Sequence, residues 1–240
     1  AYTQGQPKAL VDMAGKPMIQ WVVDALEGAP EVSSIVIVGL GAQYGLRSAK
    51  ISAYVSDHGS FLTNAIAGIE EVVRQNPAAQ RTIIAGCDIP LLRADMVSYL
   101  IALDQDPSID IYHSIVARGA MERRFPTSRR SYAHFTDGDF AAGDIHLLAP
   151  HIANSHRSLW DALLRSRKSV VKQAFHLGPV FLLRYVSGRL SLAELERRVL
   201  RKLGLHIRAQ IVDYPEMGMD ADKPFQVDIC RQELAERGTA

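Results

Sequence analysis

The first half of the chain alternates apolar segments of strand length with segments of helix length, and this alternation restricts the fold more than any other feature. Four segments are predicted strands, at 34–39, 51–55, 81–86 and 109–116. The segments that alternate with them are predicted helices, near 18–27, 61–74 and 93–104. This spacing indicates βαβ units with a mostly parallel sheet, and apolar strands indicate helices on both faces. The predicted fold class is therefore α/β, with a mostly parallel sheet.

The second half departs from this pattern after about residue 118. Residues 119–144 are rich in Arg, Ser, Gly and Asp, and residues 156–203 are predicted to be mainly helical. A late strand at Ile207–Val212 and a helix at 224–237 then close the chain. We expect one domain for all 240 residues, with an elaborated second half.

The composition argues against several classes of partner. The chain is 48% hydrophobic, which is enough for a sizeable core, and its formal net charge of +1 gives no sign of nucleic-acid binding. Cys87 and Cys230 lie far apart, so neither a disulfide framework nor a zinc site is expected, and a cytoplasmic location is predicted. No apolar run reaches the roughly 18 residues of a membrane-spanning helix, and no secretory signal is visible.

Asp88 is the strongest candidate for a site residue. It follows the predicted strand at 81–86, and Pro90 prevents that strand from continuing. In an open parallel sheet, ligands bind beyond the carboxyl ends of the strands. An aspartate at that edge can reach a metal ion held by a triphosphate. The alternative is that Asp88 caps the helix that begins near Arg93.

Asp220 and Asp222 form a second acidic pair. Mg²⁺ prefers one or two carboxylates together with phosphate oxygens, so Asp88 and one member of this pair would suit it. Alternatively, Asp222 caps the last helix, with Pro224 in its first turn. A third acidic segment, Asp137-Gly138-Asp139, is better explained as the turn of a hairpin.

Basic residues supply candidates for phosphate contacts. Lys8 follows a loop and precedes an apolar segment, where a lysine is a suitable point charge for phosphate. Arginine guanidinium groups also suit phosphates and carboxylates, although a mobile basic loop is the alternative for this group of four: Arg123, Arg124, Arg129 and Arg130. The sequence has no G-x-S-x-G motif and no Walker-type loop, which disfavours a serine hydrolase or a P-loop ATPase.

Four segments together resemble a known family. They are Pro7–Ile19 with its Gly15-Lys16-Pro17, Asp57–Ser60 before a helix, Cys87–Leu92, and Asp220–Pro224. Their order and spacing resemble the MobA-like nucleotidyltransferases, which are related to molybdenum-cofactor guanylyl- and cytidylyltransferases and to sugar-1-phosphate nucleotidyltransferases. The resemblance covers residues 7–116 well and 207–235 moderately, and it implies a Rossmann-like fold of the nucleotide-diphospho-sugar transferase type.

The resemblance also implies roles for parts of the chain and for single residues. Residues 1–117 would bind the nucleotide, 118–206 would be an inserted region that binds the acceptor, and 207–240 would supply a closing strand, an acidic loop and a helix. The implied nucleotide contacts are Lys8 on the phosphates, Gly59 and Ser60 near the base, and Asn64 and Asp88. Asp88 would hold Mg²⁺, and Asp220 and Asp222 would complete that site.

The implied reaction moves a nucleoside monophosphate from an NTP to a phosphorylated small molecule and releases pyrophosphate. Phosphoryl transfer needs in-line positioning and charge neutralisation more than a protein nucleophile, so Lys8 and the Mg²⁺ bound by Asp88 would suffice. The acceptor would approach from the inserted region, where Arg123, Arg124, Gly143 and Asp144 are the expected contacts.

The family opens with a strand and a glycine-rich loop that ends in a basic residue, whereas this sequence begins at Ala1, just after that point. Either residues precede Ala1, or the protein is an inactive relative. A metal-dependent glycosyltransferase of related fold and a non-catalytic nucleotide-binding regulatory protein are the two alternatives. No nucleic-acid or membrane partner is expected, and a homodimer is left open.

Overall fold

The computed structural model describes residues 3, 5–155 and 179–237. Near the start, the two-residue strands β1 and β2 form an antiparallel hairpin. Strand β3 pairs with β4 in a separate parallel sheet. The main sheet has the order β5-β8-β6-β9, with β7 paired to β8. The strand bounds are β1 Asp12–Met13, β2 Lys16–Pro17, β3 Ile35–Val38, β4 Ile51–Val55, β5 Thr82–Ala85, β6 Ile111–Ala117, β7 Ala133–Phe135, β8 Gly138–Leu148 and β9 Ile207–Ile211.

Helices connect and cover these strands. Their bounds are α1 Met18–Gly28, α2 Phe61–Gln75, α3 Ala94–Ala102, α4 Arg118–Arg124, α5 Ile152–Ser155, α6 Pro179–Val186, α7 Leu192–Leu203 and α8 Pro224–Arg237. The predicted bounds of α1, α2, α3 and α8 therefore agree with the structure to within two residues. The predicted helical region over 156–203 is confirmed for α6 and α7, whereas residues 156–178 lie outside the described part. None of the described helices is long and apolar enough to cross a membrane.

The main sheet is mixed, which corrects the prediction of a mostly parallel one, although the α/β class is confirmed. β8 pairs antiparallel with β5, β6 and β7, whereas β6 pairs parallel with β9. Because β5 and β6 are both antiparallel to β8, the strands β5, β6 and β9 run in one direction. The sequence did not indicate that β8 is a central strand, since its glycines and aspartates have low β-propensity. The predicted hairpin is confirmed, although its turn is Thr136-Asp137, and Gly138, with a φ of +134°, begins β8.

Apolar side chains pack on both faces of the main sheet, as the apolar strands predicted. Ile83 of β5 and Ile145 of β8 face a large core formed with α1, α3 and α8. Ile84 of β5 and Leu148 of β8 face the opposite core, formed with α2, α5 and α7. Helix α2 also contacts β3 and β4, so it connects the small parallel sheet to the main one. The carboxyl end of β5 is thereby held at the junction of these layers.

Two histidines on neighbouring strands stack on each other within the sheet. His113 of β6 and His146 of β8 lie opposite each other, and their ring centroids are 4.3 Å apart. The backbone N–H of Ser114 lies 3.3 Å from Nδ1 of His146 and donates to it, which fixes an unprotonated nitrogen there. Desolvation, followed by the charge of His113, lowers the pKa of His146 to about 3, and desolvation also lowers the pKa of His113. Both rings are therefore neutral in the folded protein at neutral pH.

This pair predicts a loss of stability in acid. Because the folded-state pKa of His146 lies below its unfolded value of about 6.5, its contribution is complete above that pH and falls as the pH decreases towards about 3. We expect the free energy of unfolding to fall by up to about 1.4 kcal/mol per pH unit for this histidine. In His146→Asn, the amide oxygen can still accept from Ser114, and the dependence on pH should become shallower. Urea denaturation from pH 7 to pH 4 measures both slopes; equal slopes would contradict the assignment.

Candidate active site

Lys8 joins two acidic residues that are far from it in sequence. Its Nζ donates a hydrogen bond to Oδ2 of Asp88 at 2.6 Å and another to Oδ1 of Asp222. Burial works to lower the pKa of Lys8, but the hydrogen bonds to Asp222 and Asp88 outweigh it and raise the pKa above its usual value. The lysine is therefore protonated, and one ammonium group holds two carboxylates together.

Asp88 is positioned by the residues on either side of it. Gly86 continues from β5, and a Cβ atom at this position would lie 2.7 Å from Oδ1 of Asp88, so only glycine lets the aspartate fold back over the strand end. On the other side, Ile89 and Leu91 are fully buried and anchor the segment in the core. The backbone carbonyl of Asp88 accepts a hydrogen bond from the N–H of Ala221 at 2.8 Å. That bond brings the late acidic segment to the end of β5.

The capping alternative for Asp88 is not supported. Helix α3 begins at Ala94, its capping residue is Arg93, and no side chain caps it. The side chain of Asp88 instead faces Lys8. The predicted proximity of Lys8, Asp88 and Asp222 is thus present in the structure, and all three lie at the edge of the sheet where β5 ends.

Arg130 organises a second group of charges beside the first. Its Nη1 donates to Oδ1 of Asp220, and its Nη2 lies 3.9 Å from Oδ2 of Asp144. Asp220 is therefore bound to an arginine, whereas Asp222 is the member of the pair that reaches Lys8. The backbone N–H of Gly86 donates to the carbonyl of Asp144 at 2.7 Å, which fixes β8 against the end of β5.

The pKa of Asp144 is shifted by its surroundings. Burial, and next the negative charge of Asp88, raise the pKa of Asp144 to about 6, and the charge of Arg130 offsets only part of that rise. Oδ2 of Asp144 is buried and accepts no hydrogen bond within the described part of the chain. Asp144 was predicted to contact the acceptor. In the structure it lies beside the cluster formed by Lys8, Asp88 and Asp222.

Arg123 and Arg124, also predicted to contact the acceptor, are not brought to this cluster. Arg124 donates from Nε to Glu216 at 3.2 Å and from Nη1 to Glu233 at 2.7 Å, so it fastens α4 to the end of the chain. Arg123 lies exposed on α4. The sequence did not indicate α4, so it could not show which of the four arginines faces the site; Arg130 is the one that does.

Gly143 has a role in the packing of β8 against β6. A Cβ atom at this position would lie 2.7 Å from Oγ of Ser114, so the glycine allows β8 to approach β6 closely. This contact explains the glycine by strand packing, without a ligand. Its contact with an acceptor stays a prediction.

The loop after β4 contains the residues predicted to lie near the nucleotide base. Ser60 caps α2, and its Oγ accepts from the N–H of Thr63 at 3.2 Å. Asn64 accepts from the N–H of His58 at 2.7 Å and donates to Asp57 at 2.9 Å, while Gly59 has a φ of +81°. These bonds give the loop one defined shape at the carboxyl end of β4. The role of Gly59, Ser60 and Asn64 in nucleotide binding stays a prediction.

A family model and several solved structures match this chain. The model of the MobA-like NTP transferase domain matches residues 3–176, which is most of the chain. A solved structure from Thermus thermophilus, described as a hypothetical transferase, is 33% identical, has a TM-score of 0.80, and matches over 94% of this chain and 93% of that one. No curated protein sequence matches significantly.

More distant structures share the fold. A CMP:2-keto-3-deoxy-manno-octonic acid synthetase in complex with CTP is 19% identical with a TM-score of 0.58, over 96% of this chain and 92% of that one. A 4-diphosphocytidyl-2C-methyl-D-erythritol synthase from Anaerococcus prevotii is 9% identical with a TM-score of 0.60, over 96% of this chain and 91% of that one. At these identities, the likeness establishes the nucleotide-diphospho-sugar transferase type of fold that the sequence predicted.

The ion pairs of Arg124 predict a role in stability. The Glu216 side chain is 8% exposed, so Arg124→Ala would leave a buried carboxylate without its arginine. Because Arg124 itself is 38% exposed, water screens part of the effect, and we expect a loss of about 2 kcal/mol in the free energy of unfolding. Arg123→Ala removes the same charge from the same helix and should cost less than about 0.5 kcal/mol. Urea denaturation compares the two; equal losses would contradict this role.

Proposed function

Because the chain belongs to the MobA-like NTP transferase domain family, we propose that it transfers a nucleoside monophosphate from an NTP to a phosphorylated small molecule, with Mg²⁺. The nucleotidyltransferase class follows from the family. The acceptor, the metal and the site residues are our proposal. The observation that carries it is the convergence of Asp88 and Asp222 on the ammonium of Lys8.

The donor set of the site suits a magnesium ion that arrives with a nucleotide. Within the described ranges, no group of three or more Asp, Glu, His or Cys side chains forms a complete metal site. Mg²⁺ does not need one, since it commonly takes one or two carboxylates and completes its coordination with phosphate oxygens and water. Asp88 and Asp222 are the two carboxylates that would hold it. Bound there, the ion would neutralise charge on the phosphates.

Lys8 supplies the second positive charge for the reaction. Its ammonium is within reach of both carboxylates, so a metal ion that binds them competes for the same oxygen atoms. We infer that Lys8 turns to the phosphates of the NTP when the metal ion binds. A lysine there stabilises charge that develops on the leaving pyrophosphate. The nucleotide would extend from this point towards the loop of Gly59, Ser60 and Asn64.

The bond changes need no protein nucleophile. An oxygen of the acceptor phosphate attacks the α-phosphorus and forms the new P–O bond. The bond between the α-phosphorus and the oxygen that bridges to the β-phosphate breaks, and pyrophosphate leaves with the electron pair. The acceptor oxygen is already an anion, so no proton has to be removed. Arg130 and Asp144 lie beside the cluster on the β8 side, where the acceptor would approach.

This function predicts a large effect at Asp88. Asp88→Asn keeps the shape of the side chain and removes its charge, so turnover should fall at least about a hundredfold. Asp95→Asn is the matched control, because Asp95 lies exposed on α3 and pairs with Arg93, two residues away. The assay measures pyrophosphate release with each of the four NTPs and a panel of phosphorylated metabolites, using the protein as its gene encodes it in full. Full activity of Asp88→Asn with Mg²⁺ would refute the assignment.

Competition between Lys8 and the metal ion gives an independent prediction. In Lys8→Met the two carboxylates lose their cation, so Mn²⁺ should bind more tightly in the absence of nucleotide. One unit charge about 4 Å away in a partly exposed site is worth on the order of 1–2 kcal/mol, or roughly tenfold in affinity. Lys16→Met is the control, because Lys16 pairs with Asp24. Electron paramagnetic resonance of free Mn²⁺ measures the affinity; unchanged or weaker binding by Lys8→Met would exclude the competition.

A further inference from the structure

A pocket rich in arginine lies next to the proposed active site. Its volume is about 300 Å³, and it lies between α4, the segment that follows α4, and β7. Three arginines and one glutamate are among its lining residues, so its lining has a positive charge. We call it the arginine pocket, and the side chains used below are Arg118, Glu122, Arg129, Arg130, Tyr132 and His134.

The arginines of the pocket differ in how far their charge is already neutralised. Arg118 donates to Glu122 at 2.8 Å and to Asp139 at 3.3 Å, so its partners are within the protein. Arg129 has no carboxylate partner among the described residues; its guanidinium lies 5.6 Å from the ring centroid of Phe225. A cation over an aromatic ring keeps its charge and its hydrogen-bond donors. Among the described residues that line the pocket, Arg129 is therefore the arginine without a carboxylate partner.

The backbone of Arg129 is also unusual. Its φ is +48°, in the left-handed region that residues with side chains rarely adopt. Its neighbours fix this conformation, since Ser128 is buried and its carbonyl accepts from Gln226 at 3.2 Å. The strained conformation turns the chain between Ser128 and Arg130, and both arginines line the same pocket. Strain of this kind is often retained at binding sites.

Arg130 separates the pocket from the carboxylates of the site. It lines the pocket, and its guanidinium bonds to Asp220 and faces Asp144. The Arg130 side chain is 11% exposed, and its Nε is buried without an acceptor in the described part of the chain. An anion in the pocket would be attracted by Arg129 and Arg130, and Arg130 would shield it from the negative charge of Asp144 and Asp220.

We propose that the arginine pocket binds a phosphate group of the acceptor that lies away from the reacting oxygen. This inference rests on the proposed function and narrows its substrate class to acceptors with a second, remote phosphate. A phosphate offers three oxygens and up to two negative charges, which suits two guanidinium groups, and Tyr132 also lines the pocket. A carboxylate has one charge and two oxygens, and one arginine satisfies it.

Binding of inorganic phosphate, measured by isothermal titration calorimetry without nucleotide, tests the proposal. At low ionic strength in a chloride buffer, we expect saturable binding at millimolar phosphate and weaker binding of acetate. Arg129→Gln should weaken phosphate binding at least about fivefold, in line with the loss of one charged hydrogen-bonding group. Arg123→Gln removes an equal charge from α4, outside the pocket, and should leave the affinity within about twofold.

Two further variants separate the remaining explanations. Arg129→Gly suits the positive φ, so it keeps the fold if Arg129→Gln melts early, and it should weaken phosphate binding to the same extent. Lys8→Met should leave phosphate binding unchanged. Loss of binding in Lys8→Met would place the phosphate in the proposed triphosphate position and overturn the proposal. Equal losses in the variants of Arg123 and Arg129, acetate binding as tight as phosphate, or no saturable binding would overturn it as well.

Failure of this proposal would leave the proposed function intact. The titration needs neither NTP nor turnover, whereas the proposed function is tested by pyrophosphate release. A protein that releases pyrophosphate but does not bind phosphate through Arg129 would retain the reaction and lose only the remote phosphate of the acceptor.

Discussion

The ammonium group of Lys8 is the interaction on which the rest of the site depends. Asp88 and Asp222 are distant in sequence, and two carboxylates that share one ammonium group would repel each other without it. Burial opposes the charge on Lys8, and the two hydrogen bonds overcome that cost. The pairing therefore closes the last segment of the chain onto the end of β5, in cooperation with the backbone bond from Ala221 to Asp88.

Strand β8 contributes Asp144 to the edge of the sheet where β5 ends. It runs antiparallel between β5 and β6, so it carries Asp144 to Gly86, directly beside the position of Asp88. The position of Asp88 requires glycine at 86, because a side chain at 86 would collide with the carboxylate. A parallel strand in this position would have required a long crossover connection, whereas the hairpin from β7 delivers β8 within a few residues.

The sequence predicted those parts of the fold and site whose signals are local. Apolar strands and amphipathic helices follow from periodicity, and Asp88 and Lys8 were found because each lies where a regular element begins or ends. The choice between Asp220 and Asp222 could not be made, because the irregular backbone between β9 and α8 gives no periodicity from which to assign facing. The sequence could not single out Arg130 for a similar reason. Helix α4 directs Arg124 to Glu216 and Glu233, and only tertiary contacts distinguish Arg124 from Arg130.

The charges of the site explain why a nucleotide and a divalent cation would bind together. Four carboxylates, Asp88, Asp144, Asp220 and Asp222, face two cations, Lys8 and Arg130, so the cluster carries a formal charge of about minus two when every acid is ionised. Burial relieves part of this excess by raising the pKa of Asp144 to about 6, which keeps some of it protonated near neutral pH. A triphosphate alone would add negative charge to this cluster and be repelled. With the proposed Mg²⁺ on Asp88 and Asp222, the same triphosphate meets a neutral surface and frees Lys8 for its phosphates. If the proposed function is correct, the acidic cluster would therefore select the metal complex of the nucleotide over the free nucleotide.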